Sequence, residues 1–426
     1  MKKFTIMLLA IAIVVMSVFG LTACDNGNIN SKMDAMQSTI EQLQKELAKS
    51  GSDVNAMQSI INQLQQELAN NDSDVDAMQS IIEQLQEALE KSGDDANALK
   101  DQITQLTSQI NNLQGGKKLA YDSYTKVQYI DKNLHDRDCI KGENFQDTQE
   151  WIKETALAAG YAESAIQMQE FTFTRRGTTY TSQNIVITKE GISDKQIIVG
   201  AHYDGDGTGD NGSGIALAIT TAEKFVNIET PYTIKFVFFT AEEYGCYGST
   251  AYANAMTDEE VANTLYMINL DSLVCGDFCY IYGGVQDKDK KIVTQTEAYD
   301  NAMSIANSLG LDIHSNPWTW DNVEPDPSND TGMPKYASPS TGDWSDHKGF
   351  KNRGIKYLYM EATNWEIPGP YNEYDGYGET VLVGMLMNTK NDYLEYIEKY
   401  FPGRIQEHLS QFATLLNALL QSEVNF

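Results

Sequence analysis

The chain is poor in basic residues, because 31 Lys and Arg stand against 60 Asp and Glu and leave a formal net charge of −29. Such an acidic surface repels phosphate groups, which argues against a nucleic-acid partner. Cysteine is also scarce, with five in 426 residues, and no CxxC pair is present that would predict a zinc knuckle. Beyond residue 19 no apolar run is long enough to span a bilayer.

The first 24 residues have the pattern of a secretory signal. Lys2 and Lys3 precede an apolar run over 4–19, and small residues follow before Cys24. The sequence Leu-Thr-Ala-Cys resembles the bacterial lipoprotein signal, in which the cysteine becomes the lipidated first residue of the mature protein. The alternative is an ordinary signal peptide with a cysteine there by chance. We therefore expect residues 1–24 to be a signal peptide and the protein to be extracytoplasmic, anchored to a bacterial membrane by acyl chains on Cys24.

Residues 25–115 contain an internal repeat. Met36, Met57, Met78 and Leu99 lie 21 residues apart, which is three heptads, and apolar residues between them step by four and three. This unbroken phase predicts a coiled coil, which as one rod would be roughly 115 Å long. Branched and unbranched apolar residues alternate along the seam in a way that favours a homodimer, with a trimer as the alternative.

A folded-back helical bundle is the rival interpretation of this region. The stretches 50–52, 70–73 and 92–94 contain glycine, serine, asparagine and aspartate, which are typical of helix ends. In both interpretations the region is a spacer or assembly element. Gly115-Gly116 marks its expected end, so residues 116–426 are left for one large globular domain.

The globular domain alternates strand-like and helical patterns. Apolar runs predict strands at 184–188, 196–201, 233–240, 265–270 and 355–360, and helical patterns lie at 145–158, 213–226, 248–256, 296–308 and 404–421. This alternation predicts an α/β domain with a mainly parallel central sheet flanked by helices, preceded by the long helical coiled-coil region.

Candidate metal ligands follow three of these predicted strands. His202 ends the run IIVGAH, Glu242-Glu243 follow TIKFVFFT, and Asp271 follows YMINL; Asp210 lies in the glycine-rich turn after His202. Open α/β sheets place their sites at such strand ends, and one imidazole with several carboxylates suits zinc. Asp204 is expected to hold the second ring nitrogen of His202. One member of the glutamate pair can ligate while the other serves as base.

From about Tyr121 onward the chain resembles the co-catalytic di-zinc aminopeptidases of peptidase family M28, which share the zinc exopeptidase-like fold. The resemblance rests on the blocks GAHYDG, GDNGSG, TAEEYGCYGS, INLDS and SDHKGF. It implies that His202 and Asp271 bind one zinc, that Asp210 bridges two zincs, that Glu243 binds the second and that Glu242 is the general base. It also implies peptide substrates that lose N-terminal residues. Asp346-His347 correspond to a segment lining the substrate pocket.

One position departs from the family pattern. The family closes its second zinc site with a histidine in a His-Thr-x-x-Asp block, and here Asn388 stands before Thr389 and Asp392. An amide oxygen is a poorer zinc ligand than imidazole, so one zinc is expected to be held firmly and a second more weakly. This leaves two further hypotheses: a catalytically weakened peptidase-like binding module on the stalk, or a single-zinc enzyme like the glutaminyl cyclases.

Several other residues remain open from the sequence. Cys139, Cys246, Cys275 and Cys279 are an even number compatible with two disulfides. Trp318, Trp320, Trp344 and Trp365 either line an apolar pocket or belong to the core. His347 could take the part of the missing ligand, whereas His408, in a helical pattern, is expected on the surface.

Overall fold

The structure, a computed structural model, describes residues 96–320, 336–367 and 378–424. The signal peptide with Cys24 and most of the repeat region, up to residue 95, lie outside these residues. The described residues fall into two compact units. The first contains 96–114 and 307–311, where the side-chain amide of Gln109 donates to the carbonyl of Ser308 at 3.0 Å. The second contains 115–306, 312–320, 336–367 and 378–424, and carries all the candidate site residues except Cys24.

The second unit is built around a mixed sheet of eight strands in the order β1-β2-β4-β3-β5-β10-β6-β9. The four central strands β4, β3, β5 and β10 are parallel to one another, whereas β2 and β6 run antiparallel to them at either side. The strands are β1 (Ile166–Arg175), β2 (Thr178–Lys189), β3 (Ser193–His202), β4 (Tyr232–Phe239), β5 (Thr264–Leu270), β6 (Phe278–Tyr282), β7 (Val285–Asp287), β8 (Ile292–Thr294), β9 (Ile313–His314) and β10 (Tyr357–Thr363). Strands β7 and β8 form a separate two-stranded sheet.

Helices flank this sheet. They are α1 (Ala96–Asn133), α2 (Phe145–Ala159), α3 (Gly212–Phe225), α4 (Tyr247–Ala255), α5 (Asp258–Asn263), α6 (Glu297–Ser308), α7 (His347–Asn352), α8 (Leu394–Tyr400) and α9 (Arg404–Gln421). The predicted α/β architecture with a mainly parallel central sheet is thus confirmed. The central strands are identifiable from sequence because they are buried on both faces, as β3 is from Gln196 to His202, and therefore form nearly continuous apolar runs.

Helix α1 does not end at the glycine pair that was expected to close the stalk, but continues to Asn133. The glycines allow a close approach instead. A Cβ on Gly116 would lie 2.1 Å from the Thr414 hydroxyl oxygen of α9, and one on Gly115 would lie 2.8 Å from the Lys224 ammonium. Two glycines inside a helix therefore reflect tight packing here, and not a helix end.

The structure decides three of the open side-chain questions. Cys139, Cys246, Cys275 and Cys279 are all free thiols, so the two disulfides are not formed. His408 is buried on the inner face of α9 and not on the surface. Trp365 is buried among tyrosines of β6 and β10 and donates to the Tyr282 hydroxyl at 2.8 Å, so it belongs to the core. In the described part of the chain no helix is both long and apolar enough to cross a membrane.

Candidate metal centre

Three acidic or imidazole side chains meet at the carboxyl edge of the parallel sheet. His202 is the last residue of β3, Asp271 follows β5, and Asp210 lies in the loop between β3 and α3. The imidazole Nε2 of His202 lies 3.2 Å from Asp210 Oδ1 and 3.3 Å from Asp271 Oδ1. All three side chains are buried, and this is a group whose ligand atoms could hold a metal ion.

These separations fit a tetrahedral zinc site. Ligand atoms at about 2.0–2.2 Å from a tetrahedral Zn²⁺ stand roughly 3.3–3.6 Å apart, which is close to both distances from His202 Nε2. The set of one nitrogen and two carboxylate oxygens is also one that zinc accepts. The residues therefore fit this metal in both geometry and chemistry.

Asp204 fixes the other side of His202, through its main chain more closely than through its carboxylate. His202 Nδ1 lies 3.1 Å from the Asp204 carbonyl oxygen and 3.7 Å from Asp204 Oδ1. In the neutral imidazole, a proton on Nδ1 that is donated to this carbonyl leaves Nε2 free to ligate. The Asp204 carboxylate instead accepts the main-chain N–H of Glu242 at 3.2 Å, so one residue orients both the ligand and the candidate base.

Glu242 follows β4 and turns its carboxylate toward His202, Asp210 and Asp271. Its Oε2 lies 4.0 Å from His202 Nε2, and its Oε1 accepts a hydrogen bond from the Cys246 thiol at 3.4 Å. Burial, together with Asp271 and Asp346, raises the pKa of Glu242 well above its usual range. A carboxyl group in this state readily accepts a proton, as a general base must.

The electrostatics of the group favour a bound cation. Although burial alone would lower the pKa of His202, Asp271, Asp204 and Asp210 together raise it well above 6.5. Burial and Asp271 likewise raise the pKa of Asp210. Carboxylates crowded in a buried site repel one another, and a divalent cation relieves that repulsion.

The loop that carries Asp210 is wrapped around a buried carboxylate from the far end of the chain. Asp392 accepts the main-chain N–H groups of Gly209 at 2.7 Å and Asp210 at 2.9 Å. A Cβ on Gly207 would lie 2.1 Å from Asp392 Oδ2, so this close approach requires glycine. The fully buried Arg137 holds the same loop, since it donates to the Gly207 carbonyl at 2.8 Å.

Two further residues, Asn211 and Ser345, hold the Asp210 loop and the Asp271 side chain in place. Asn211 caps α3 by accepting the N–H of Gly214 at 3.0 Å, and it donates to the Leu270 carbonyl at 2.9 Å, which joins the Asp210 loop to the end of β5. The Ser345 hydroxyl donates to Asp271 Oδ2 at 2.6 Å and leaves Oδ1 facing His202. Sequence reasoning missed the roles of Arg137, Asp392 and Ser345. For two of them the sequence did carry a signal. Ser345 is the first residue of the SDHKGF block, and Asp392 stands where the His-Thr-x-x-Asp block has its aspartate.

Glu243 and Asn388, the two expected ligands of a second zinc, lie outside the three-residue group. Although Glu243 is exposed as a whole residue, desolvation of its carboxyl and the neighbouring Asp210 raise its pKa to about 9. Asn388 is next to the metal centre, and its side-chain N–H donates to Asp210 Oδ2 at 3.3 Å. Its amide nitrogen, and not its oxygen, thus faces the carboxylate expected to bridge two metals.

The two residues of the pocket segment have different surroundings. Asp346 is buried near the centre, and burial raises its pKa to about 7 against the opposing effect of His202. His347 packs instead on Tyr357 and Tyr359, and its Nε2 lies 3.0 Å from the Gly342 carbonyl. Its ring is therefore engaged away from the ligands, and it does not replace the missing histidine.

Comparison with known proteins extends beyond the motifs. Residues 184–412, more than half of the chain, match the model of Peptidase family M28. The chain is 28% identical over 265 residues to the alkaline phosphatase isozyme conversion protein of Escherichia coli, covering 57% of this chain and 71% of that protein. It is 36% identical over 110 residues to leucine aminopeptidase 2 of Trichophyton rubrum, covering 24% of this chain and only 22% of that protein.

A solved structure shows the same fold. The glutaminyl cyclase of an Acidobacteriales bacterium is similar with a TM-score of 0.52 and 16% identity, over 71% of this chain and 94% of that one. At such low identity the similarity concerns the fold alone.

Proposed function

This chain belongs to peptidase family M28, and we propose that it is a zinc-dependent aminopeptidase that removes residues from the amino termini of peptides. The observation that carries the proposal is the convergence of His202, Asp210 and Asp271 with the Glu242 carboxylate 4.0 Å from His202 Nε2. The partial similarity to a fungal leucine aminopeptidase supports the choice of substrate.

His202, Asp210 and Asp271 would hold the first zinc. When bound, zinc supplies Lewis-acid polarisation of the carbonyl in the scissile bond. Hydrogen bonds from other residues keep these ligands in place: the Asp204 carbonyl orients the imidazole, Ser345 holds Asp271, and Asp392 holds the main chain at Asp210. Such supporting contacts set both the orientation and the basicity of the ligands.

Glu242 is proposed to move the proton. It takes a proton from the attacking water and passes it to the nitrogen of the leaving amine. Two contacts support this role: Asp204 fixes the main chain of Glu242, and the Cys246 thiol holds Oε1, so that Oε2 stays directed at the ligands. The raised pKa of Glu242 gives its carboxylate the proton affinity that a general base needs.

We propose a second, weaker zinc site formed by Asp210, Glu243 and Asn388. Its weakness follows from the amide at position 388, because an amide is a poorer zinc donor than imidazole. Weak occupancy of this site would lower activity when zinc is limiting. The binding-module hypothesis would hold if activity were absent at all zinc concentrations.

The proposal also covers the residues before the globular domain: the signal peptide, the lipid on Cys24 and the coiled-coil stalk over 25–115. We propose that the enzyme is an extracytoplasmic lipoprotein, held at a bacterial membrane and assembled into dimers or trimers by the stalk. The support is the sequence alone: the Leu-Thr-Ala-Cys pattern and the 21-residue repeat.

Metal analysis combined with peptide hydrolysis tests the proposed function. The purified protein should contain zinc and release p-nitroaniline from leucyl-p-nitroanilide, but not from its N-acetyl derivative, since an aminopeptidase requires a free amino terminus. Chelation should abolish turnover and added zinc should restore it. Hydrolysis of the acetylated substrate at an equal rate would contradict aminopeptidase activity, and turnover unaffected by chelation would contradict the metal.

A further inference from the structure

The β1–β2 hairpin extends past the sheet edge that carries the metal centre. Strand β2 pairs with β4 only from Ile185, opposite Phe238, to Lys189, so residues 178–184 continue beyond the end of β4. The Tyr247 hydroxyl donates to the Thr174 carbonyl at 3.4 Å. The hairpin tip is therefore held beside the segment 240–247, which carries Glu242.

Arg175 is held at this tip by an aromatic ring. Its guanidinium carbon lies 3.8 Å from the centroid of the Tyr244 ring, and Tyr244 directly follows Glu243. The ring is itself fixed, because the Tyr244 hydroxyl donates to Asp138 Oδ2 at 2.6 Å. Stacking on a fixed ring orders the long arginine side chain and leaves its N–H groups available at the edge of the guanidinium plane.

The guanidinium has no acidic partner in the part of the chain that the structure describes. No carboxylate there comes within 4.0 Å of it. The nearby Asp138 is already occupied, since its other oxygen accepts the N–H groups of Ile140 and Lys141. Among the described residues this half-buried arginine therefore has no ion pair, although the chain carries a net charge of −29, and its donors can take a ligand there.

We propose that Arg175 is a specificity-determining residue that binds a carboxylate in the leaving part of the peptide substrate. This inference rests on the proposed aminopeptidase function. An aminopeptidase binds the amino-terminal residue of its substrate at the metal centre. Contacts further from the metal are therefore made by the residues after the scissile bond. Standard covalent dimensions put the guanidinium roughly 11 Å or less from the Glu243 Cα, which about three extended residues can span.

The carboxylate could be an acidic side chain or the free carboxyl terminus of a short peptide. Two matched substrate pairs separate these sources: Leu-Gly-Gly against its carboxamide, and Leu-Gly-Asp-amide against Leu-Gly-Asn-amide. The quantity measured is the ratio of kcat/KM for the charged and neutral member of each pair. We expect a ratio of about three to ten in at least one pair, as for a partly exposed charge-assisted contact, and a smaller ratio in concentrated salt.

Arg175→Gln should bring the ratio close to one, and Arg175→Lys should give an intermediate value because the charge stays while the planar fork is lost. Arg176→Gln is the matched control, since it removes the same charge from the neighbouring exposed residue. Circular dichroism and thermal unfolding verify the fold of each variant. If Arg175→Gln does not fold, the comparison of Arg175→Lys with Arg176→Gln decides the question.

Ratios near one in the unmodified protein, or equal losses in Arg175→Gln and Arg176→Gln, overturn the role of Arg175. Those outcomes leave the proposed function intact, because all four peptides are still hydrolysed. If none of the four peptides is hydrolysed, the aminopeptidase proposal itself is wrong and this inference falls with it.

Discussion

Asp392 accepts the main-chain N–H of Asp210 at 2.9 Å, although 182 residues separate the two in the chain. The same carboxylate accepts the N–H of Gly209 at 2.7 Å, and its burial raises its pKa to about 6. A loop rich in glycine has little conformational preference of its own, so an outside contact must define it. The position of Asp210 therefore depends on the last strand-to-helix connection of the domain.

Asp392→Ala is predicted to weaken metal binding as well as the fold. It removes two charge-assisted hydrogen bonds, so the free energy of unfolding of the metal-free protein should fall by about 2–4 kcal/mol. Zinc affinity should fall by about 10–100-fold, since Asp210 is no longer held. Urea unfolding and zinc titration against a chromogenic chelator measure the two effects. Asp194→Ala, at an exposed aspartate, is the control; equal zinc affinity in both variants would show that other contacts hold Asp210.

Glu242→Gln should retain the metal and the fold but lose at least about a hundredfold in turnover, because the amide cannot accept the proton. Zinc per chain and kcat for leucyl-p-nitroanilide are the measurements. Glu259→Gln makes the same substitution at an exposed site in α5 and should leave both unchanged. Undiminished turnover in Glu242→Gln would remove this residue from the mechanism.

Asn388→His should raise the zinc content from about one toward two per chain and increase activity at limiting zinc. The imidazole would replace an amide whose N–H group now faces Asp210 Oδ2. Metal content after identical dialysis of both proteins decides the matter, with Lys390→His, an exposed neighbour, as control. Two firmly held zincs in the unmodified protein would contradict the weak second site.

The buried His408 should make stability depend on pH. Burial and nearby Arg404 lower its pKa to about 3, whereas an unfolded histidine titrates near about 6.5. Between these values the unfolded chain binds a proton that the folded protein does not. The free energy of unfolding therefore falls as the pH decreases below about 6.5, and His408 accounts for a loss of roughly 2 kcal/mol at pH 5.

Urea unfolding at pH 7 and pH 5 tests this assignment. In His408→Gln the difference in the free energy of unfolding between pH 7 and pH 5 should shrink by that amount, because the neutral amide does not titrate. His135→Gln, at an exposed histidine, should behave as the unmodified protein does. An unchanged difference in His408→Gln would show that other groups cause the acid sensitivity.

Residues 33–114 should form a helical oligomer by themselves. The heptad phase predicts a high helix content in circular dichroism and a dimeric or trimeric mass in sedimentation equilibrium. Lysine at two seam positions, Ile61 and Ile82, should dissociate it, whereas lysine at Gln65, off the seam, should not. A monomer of low helicity would contradict the coiled coil.

Local periodicity and strand-end residues were sufficient to predict much of this protein. The buried strands β3, β4, β5 and β10 appear as apolar runs because a parallel sheet covered on both faces has no polar side. Since parallel strands end at one edge, the sequence also placed His202 and Asp271 at the same edge. Both features depend only on neighbouring residues and on general sheet geometry, and the sequence therefore determines them by itself.

Contacts between distant segments were decided by the tertiary structure alone. The hydrogen bond from Asp210 to Asp392, the stacking of Arg175 on Tyr244 and the burial of His408 depend on which surfaces pack together. A polar residue in a loop or on a helix has the same local pattern whether it faces solvent or a partner far along the chain. Its environment, and with it its pKa and its role, is set only when the chain folds.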